Sequence, residues 1–260
     1  MRAIITGAAR GIGRAITLRL ARDAQGSGGA HLVLADRHAE ELATLAAEVS
    51  ALGGTAIAVA GDLADVAYPQ QLADAAAAFG GLDAVASNAG LGLFGPLLQY
   101  SLDDWERNFA VHVRAPWLLA RACHSALKAS AGSFVITASI SGVHPTPPGG
   151  AYSASKAAAL MLARQLAVEW GPDGIRVNTV SPGMTLTSLT EAAYNAPGVL
   201  SQREARIPLR RVGQPEDIAG VVAFLLGKDA AYMTGADLVV DGGLVQTLMA
   251  NNPGWNHKPG

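Results

Sequence analysis

The sequence predicts an α/β fold in which helices cover both faces of one parallel β-sheet. Short runs of β-branched and apolar residues alternate along the chain with stretches rich in alanine and leucine. This alternation is typical of repeated strand–helix–strand units, whose strands lie parallel in one sheet. Several strands are apolar at successive positions, as expected for strands covered on both faces.

Seven strands and six helices are predicted, and right-handed crossovers would wind them into one doubly wound sheet. The predicted strands span residues 3–6, 31–35, 55–60, 84–87, 133–138, 175–180 and 237–240. The predicted helices span residues 13–22, 39–52, 69–79, 102–130, 151–170 and 215–226. We therefore expect a single domain over residues 1–243.

Two segments interrupt this rhythm. Residues 185–212 contain no strand pattern, and a stretch of that length within a compact domain is usually a lid or binding segment. Residues 244–260 are polar, with Pro253, Gly254 and Pro259, and are expected to form an irregular tail. The stretch 251–257 of this tail is a candidate to close the pocket of a neighbouring subunit.

Composition narrows the possible functions. The 260 residues are 50% hydrophobic and 15% charged, with a formal net charge of −2, so we expect neither a nucleic acid partner nor a membrane partner. The one cysteine excludes an internal disulfide and a thiol-rich metal site, and no metal is expected. The first apolar run, residues 3–5, is too short for a secretory signal, so we expect a cytoplasmic protein.

A glycine-rich turn follows the first predicted strand and leads into the first helix. Its sequence runs Thr6-Gly-Ala-Ala-Arg-Gly-Ile-Gly13, a G-x-x-x-G-x-G spacing. Glycines here let the backbone approach a pyrophosphate, which the amides and dipole of the helix then bind. A purely structural turn is the alternative for the glycines alone. The position between strand and helix favours a dinucleotide, held by Gly7, Arg10, Gly11, Ile12 and Gly13.

Asp36 closes the second predicted strand, 23 residues after Gly13. A carboxylate there can bind both ribose hydroxyls and would repel a 2′-phosphate, which favours NAD. Arg10 and Arg37 favour NADP, because either could pair with a phosphate. We expect NAD, with NADP less favoured, because the carboxylate should occupy the phosphate position itself.

Two further motifs follow the third and fourth strands, where open parallel sheets bind ligands. Asp62 and Leu63 come after one strand, and Asn88-Ala89-Gly90 come after the next. A helix cap at Asp62 and a simple turn at Asn88 are the structural alternatives. Both motifs are predicted to contact the cofactor.

A proton-transfer site is predicted from three residues. Tyr152 and Lys156 stand four apart at the start of a helical segment, so they share one face, and Ser139 follows the fifth strand. A phenol with a pKa of about 10 needs a nearby ammonium and the positive nicotinamide ring to become a base near neutral pH. Taken singly, the Tyr–Lys pair could lie at the surface and the serine could be a cap.

Together these motifs resemble the short-chain dehydrogenase/reductase family, from Thr6 to about Gly243. Further landmarks are Arg176-Val-Asn178, Pro182-Gly183 and Asp241-Gly-Gly243. The resemblance implies one seven-stranded Rossmann sheet, a Ser-Tyr-Lys site and, as in many relatives, a homotetramer. It also implies that the segment carrying Pro182, Gly183, Thr185 and Thr187 lies under the nicotinamide.

His112 departs from the family pattern, which has an asparagine at this position. In the family that asparagine helps to hold a water that relays protons between the lysine and solvent. Neutral imidazole can also donate and accept a hydrogen bond, so we expect His112 to complete the catalytic set with Ser139, Tyr152 and Lys156. A space-filling histidine is the alternative.

The expected function is NAD-dependent oxidation of a secondary alcohol, acting on a small molecule such as a sugar, polyol or cyclic diol. A rival enzyme of this type is a reductase of 3-oxoacyl thioesters that uses NADPH. A rival of another class is a non-catalytic nucleotide-sensing protein on the same fold, since fold alone does not fix function.

Overall fold

The computed structural model describes residues 1–248, which contain seven parallel strands in one sheet. The strands are β1 (Arg2–Thr6), β2 (His31–Asp36), β3 (Thr55–Ala60), β4 (Ala84–Ser87), β5 (Ser133–Thr137), β6 (Arg176–Pro182) and β7 (Asp237–Val240). Their order is β3-β2-β1-β4-β5-β6-β7, which confirms the predicted doubly wound sheet. The winding direction reverses between β1 and β4, and ligands bind at such a switch point in open α/β sheets.

Helices cover both faces of this sheet. They are α1 (Gly11–Asp23), α2 (Ala39–Ala51), α3 (Tyr68–Ala77), α4 (Leu102–Phe109), α5 (Ala115–Ser130), α6 (Ala151–Trp170), α7 (Glu191–Tyr194), α8 (Val199–Glu204) and α9 (Pro215–Leu226). Adjacent residues of β1 face opposite cores, since Ile5 packs with α1, α2 and α9, and Ile4 packs with α3, α5 and α6. This explains why the strands are apolar at successive positions.

The helix predicted over residues 102–130 is not continuous. A π-helical turn, Ala110–Arg114, separates α4 from α5. Pro116 stands in the first turn of α5 and has no N–H to bond the carbonyl of His112 four residues earlier. The regular hydrogen-bond ladder is therefore interrupted beside His112, and π-turns of this kind are frequent at functional sites.

The segment of residues 185–212 carries α7 and α8 and contains no strand, as expected. Its ends meet at a bridge between Thr185 and Gly213, where the Leu186 amide donates to the Gly213 carbonyl at 2.9 Å. Residues 244–246 of the predicted tail form one short helical turn. Residues 249–260, which include the stretch 251–257 expected to close a neighbouring subunit's pocket, lie outside the described residues. The division into a domain and a tail stays a prediction.

Candidate active site

The glycine turn between β1 and α1 is shaped by backbone contacts. Gly7 has a φ of 65°, in the region that favours glycine, and a Cβ there would lie 2.8 Å from the Ala89 Cα atom. A Cβ on Gly13 would lie 2.0 Å from the Gly7 carbonyl oxygen. No side chain caps the N-terminus of α1, so its first N–H groups remain available to an anion.

A cleft of about 450 Å³ opens beside this turn, at the carboxyl ends of the central strands. Most of the predicted cofactor residues line it: Gly7, Arg10, Gly11, Ile12, Asp36, Asp62, Leu63, Asn88, Ala89, Gly90, Tyr152, Lys156, Pro182 and Thr187. Within residues 1–248, no three His, Cys, Asp or Glu side chains lie together as a metal site would require. None of the described helices is long and apolar enough to cross a membrane.

Three predicted cofactor residues do not line the cleft. Gly13 packs under the turn against Gly7, and Gly183 packs against Asp241, where a Cβ would lie 2.5 Å from the Asp241 side chain. Thr185 is buried and its hydroxyl donates to the Gly183 carbonyl at 3.3 Å. Tight backbone packing places these residues behind those that form the wall, and their direct contact with a cofactor stays a prediction.

Asp36 lies at the end of β2, where the prediction places it. One carboxylate oxygen accepts from the Ala9 amide at 3.1 Å, and the other accepts from the Arg37 amide at 2.7 Å. The His38 ring contacts that second oxygen at 2.8 Å, and no sequence motif singles out this histidine. The carboxylate is thus fixed at the cleft wall.

The side chain of Arg10 is held by an acidic partner. Its guanidinium forms an ion pair with Glu41 of α2, donating through Nε at 2.5 Å and through Nη2. This hydrogen bond and the charge of Glu41 raise the pKa of Arg10 above its usual value, with a smaller contribution from Asp36. Arg10 is therefore already paired with a carboxylate.

Asp62 and Asn88 have structural as well as lining roles. Burial alone would raise the pKa of Asp62, but hydrogen bonds from the Ala64 amide and from Arg107, at 2.6 Å, lower it below its usual value. The Asn88 amide donates to the Thr6 carbonyl at 3.2 Å and accepts from the Thr137 hydroxyl at 3.1 Å. Asn88 thereby ties together the ends of three neighbouring strands.

Ser139, Tyr152 and Lys156 lie close together beside the cleft, which Tyr152 and Lys156 line. Ser139 lies two residues after the end of β5, and Tyr152 and Lys156 occupy successive turns of α6. Lys156 is buried and its Nζ atom donates to the Thr137 carbonyl at 2.8 Å, lying 5.8 Å from the centre of the Tyr152 ring. Burial excludes the alternative of a surface Tyr–Lys pair.

The electrostatics of the trio differ from the expectation for Tyr152. Burial raises the pKa of the Tyr152 phenol above its usual value, and the neighbouring Ser139 hydroxyl offsets this only in part. Burial also lowers the pKa of Lys156 to about 8. Desolvation disfavours both the Tyr152 phenolate and the Lys156 ammonium. The residues of the chain by themselves therefore do not produce the lowering of the phenol pKa that the sequence predicts.

His112 is buried between the loop after β4 and helix α6. Its Nε2 atom accepts from the Leu91 amide at 3.1 Å, and its Nδ1 atom lies 2.9 Å from the Ser155 hydroxyl, which itself donates to the Tyr152 carbonyl. Burial, and then the charge of Lys156, lower the pKa of His112 to about 2. The ring is therefore neutral, and both of its nitrogens are already bonded to protein groups. This corrects the expectation that the ring itself holds a relay water.

Comparison with known proteins identifies a family model and several relatives that resemble this chain. A family model described as enoyl-(acyl carrier protein) reductase matches residues 7–245. The chain is 36% identical to the 2,5-dichloro-2,5-cyclohexadiene-1,4-diol dehydrogenase LinX of Sphingobium indicum, over 93% of this chain and 94% of that protein. It is 37% identical to the D-threitol dehydrogenase of Mycolicibacterium smegmatis, over 93% of this chain and 91% of that protein.

A solved structure extends the similarity to the fold. The short chain dehydrogenase from Burkholderia cenocepacia, in complex with NADP, superposes on this chain with a TM-score of 0.85 and 35% identity. The match covers 94% of this chain and 97% of the other. The residues matched by the family model, 7–245, span the glycine turn and the segment 185–212.

Proposed function

Because this chain belongs to the short-chain dehydrogenase/reductase family and is an oxidoreductase acting on alcohol groups, we propose that it interconverts a secondary alcohol and a ketone with NAD. The observation that carries this proposal is the meeting of Ser139, Tyr152 and Lys156 beside a cleft that starts at the glycine turn. Sugars, polyols and cyclic diols are the expected substrates. The names of the threitol and cyclohexadienediol dehydrogenases support this class.

The chemistry of the cleft fits a dinucleotide. Gly7 and Gly13 sit where any Cβ would collide with backbone, and the uncapped amides of α1 suit a pyrophosphate. Asp36 would bind the adenosine ribose, Lys156 the nicotinamide ribose and Thr187 the carboxamide. Asp62, Leu63, Asn88, Ala89, Gly90 and Pro182 would complete the walls. When bound, the dinucleotide supplies the hydride acceptor.

NAD is proposed over NADP because of two carboxylates. Asp36 is fixed where a 2′-phosphate would lie, and Glu41 occupies the Arg10 guanidinium that could otherwise pair with that phosphate. The NADP complex of the Burkholderia cenocepacia relative makes NADP the alternative. Arg37 also lines the cleft and favours that alternative.

The test is a screen of the purified protein against sugars, polyols and cyclic diols, once with NAD and once with NADP. The absorbance of the reduced nicotinamide measures turnover. We expect kcat/KM with NAD to exceed that with NADP by at least about tenfold for the best alcohol. Glu41→Gln releases Arg10, and Asp36→Ser removes the repelling charge, so both variants should narrow this ratio.

Glu40→Gln is the matched control, because Glu40 is an exposed carboxylate one residue away in α2. It should keep the wild-type ratio. A wild-type preference for NADP would contradict the NAD assignment, and ratios unchanged in both Glu41→Gln and Asp36→Ser would contradict the role given to these two carboxylates. Failure to reduce either dinucleotide with every alcohol of the panel would contradict the proposed activity.

In the proposed reaction, three side chains act on the alcohol. Tyr152 accepts the hydroxyl proton, and Ser139 donates a hydrogen bond to the same oxygen. The buried Lys156 ammonium favours the phenolate form of Tyr152, opposing the effect of burial on its pKa. A positively charged partner is needed here because the phenol by itself is a weaker acid than free tyrosine.

We assign His112 a positioning role in place of the water relay through its ring. Its hydrogen bonds link Leu91 to Ser155 and so hold the loop after β4 against the helix that carries Tyr152 and Lys156. The ring also meets the Tyr152 ring edge to face, with centroids 5.5 Å apart. His112→Ala should therefore lower turnover more than dinucleotide affinity, and unchanged turnover at every pH would contradict the assignment.

A second candidate function is the reduction of 3-oxoacyl thioesters with NADPH. The description of the matching family model, an acyl carrier protein reductase, favours this candidate. The Asp36 carboxylate and the Arg10–Glu41 pair oppose it, because NADPH carries a 2′-phosphate. A thioester substrate added to the screen with NADPH distinguishes the two.

The expected homotetramer and cytoplasmic location stay proposals. Exposed apolar side chains on α5 and α6, namely Trp117, Met161 and Val168, support association through these helices. Light scattering of the purified protein would test the number of subunits.

A further inference from the structure

We propose that Phe94 determines substrate specificity: its ring forms an apolar wall beside Tyr152 that selects alcohols carried on a ring over open-chain polyols. This inference rests on the proposed function and narrows its substrate class. Phe94 lies in the loop after β4, outside every motif that the sequence pattern singles out.

The position of the Phe94 ring relates it directly to the reacting group. Its centroid lies 5.2 Å from the centroid of the Tyr152 ring, with the planes tilted by 57°. This distance is within the range of aromatic pairs. Even so, 58% of Phe94 is exposed, so much of its surface is free to contact a molecule bound beside the phenol.

Leu189 of the lid segment extends the same wall. Gly92 lies against both side chains, since a Cβ there would be 2.6 Å from Phe94 Cε2 and 3.3 Å from Leu189 Cδ1. Leu189 is 52% exposed and lines the cleft. Two apolar side chains from distant parts of the sequence thus converge, and the glycine leaves them the space to do so.

The backbone on either side of Phe94 is held in place. Before it, the Leu93 carbonyl accepts from the Tyr100 hydroxyl at 2.5 Å, and the buried Asn108 donates to that hydroxyl at 2.7 Å. After it, the Gly95 amide donates to the Pro148 carbonyl at 2.8 Å. A fixed wall costs less conformational entropy on binding than a loop that must be ordered.

The chemistry of this wall favours one shape of alcohol. A ring-borne alcohol presents a continuous C–H face that can bury the exposed part of Phe94 and Leu189. An open-chain polyol carries a hydroxyl on nearly every carbon, and hydroxyls placed against this wall would lose hydrogen bonds to water. The geometry therefore points to cyclic secondary alcohols with an apolar face.

The experiment compares 1,2-cyclohexanediol with 2,3-butanediol, which share the vicinal diol and differ in the ring. For the wild type we expect higher kcat/KM with the cyclic diol. Phe94→Ala should lower that value by about tenfold and leave the open-chain diol within about twofold. Phe94→Tyr should restore the preference, and Leu98→Ala is the control, since Leu98 lies four residues on and is 94% exposed.

A second readout separates this inference from the proposed function. Calorimetry measures binding of each diol to the enzyme holding reduced dinucleotide, a complex that cannot oxidise an alcohol. If the cyclic diol binds more tightly and Phe94→Ala loses this difference, the role of Phe94 is supported. If the wild type also fails to oxidise both diols, that failure counts against the proposed activity but not against the role of Phe94. Equal binding of the two diols, or equal losses for both in Phe94→Ala, would overturn the role of Phe94.

Discussion

The two ends of the cleft are built in different ways. The dinucleotide end is made of backbone, where Gly7 and Gly13 approach carbonyl and Cα atoms so closely that no Cβ fits. The proposed alcohol end is made of side chains, and Tyr152, Lys156 and Leu189 line it from α6 and from the segment 185–212. A backbone site tolerates few substitutions, whereas a side-chain site can be altered residue by residue, as substrate specificity requires.

The two ends also differ in their electrostatics. At the dinucleotide end two ion pairs lie near the surface, Arg10 with Glu41 and Arg107 with Asp62. At the alcohol end Lys156 and His112 are buried, and burial lowers the pKa of both. Burial thus keeps the His112 ring neutral and brings the pKa of Lys156 closer to neutral pH, which suits a step that moves a proton.

At the dinucleotide end, the largest expected effect comes from filling the backbone site. In Gly13→Ala the new Cβ would overlap the Gly7 carbonyl, so the turn must shift. We expect dinucleotide affinity to fall at least about a hundredfold and the free energy of unfolding to fall by about 1–3 kcal/mol. Fluorescence titration and chemical denaturation would measure these two quantities.

Gly171→Ala is the matched control for that variant. Gly171 has a φ of −53°, and a Cβ there would meet nothing within 4 Å. Its dinucleotide affinity should equal that of the wild type. If Gly13→Ala bound the dinucleotide equally well, the backbone account of this end would fail.

A smaller effect is expected from His112 at the alcohol end. The folded pKa is about 2 and the ordinary value is 6.5, so between these pH values the unfolded chain binds more protons than the native chain. The stability of the wild type should therefore rise with pH across this window and be lost as the pH falls. By pH 5 this loss is about 2 kcal/mol relative to its value at neutral pH.

His112→Asn removes the titrating ring and tests this sign. The difference in unfolding free energy between wild type and variant, measured by denaturation from pH 4 to pH 8, should favour the wild type increasingly up to about pH 6.5 and then level off. A difference that stays constant from pH 4 to pH 8 would mean that the ring is not desolvated as the structure has it.

The contrast between the two ends also explains what the sequence could reveal. The sheet and the glycine turn follow from local patterns, and each predicted strand lies within two residues of its observed bounds. Asp36 can be predicted to lie at the cleft because the strand pattern alone places it at the end of β2. The His112 hydrogen bonds, the Arg10–Glu41 pair and the Phe94–Leu189 wall join residues far apart in the chain, and no local pattern encodes such pairings.

The π-helical turn is an intermediate case. Pro116 was visible in the sequence, and its missing N–H gave a reason to expect an interruption near His112. The sequence prediction nevertheless runs one helix through residues 102–130. The Pro116 signal could have been used, whereas the ring contacts of His112 required the folded chain.

The central claim is that the Tyr152 phenol exchanges the proton of the alcohol, and Tyr152→Phe tests it most directly. The substitution keeps the ring against Phe94 and removes only the hydroxyl. Steady-state oxidation of the best alcohol should fall by about a thousandfold, while the Kd of the dinucleotide stays within about twofold of the wild type. Turnover within about tenfold of the wild type, at an unchanged Kd, would contradict the account.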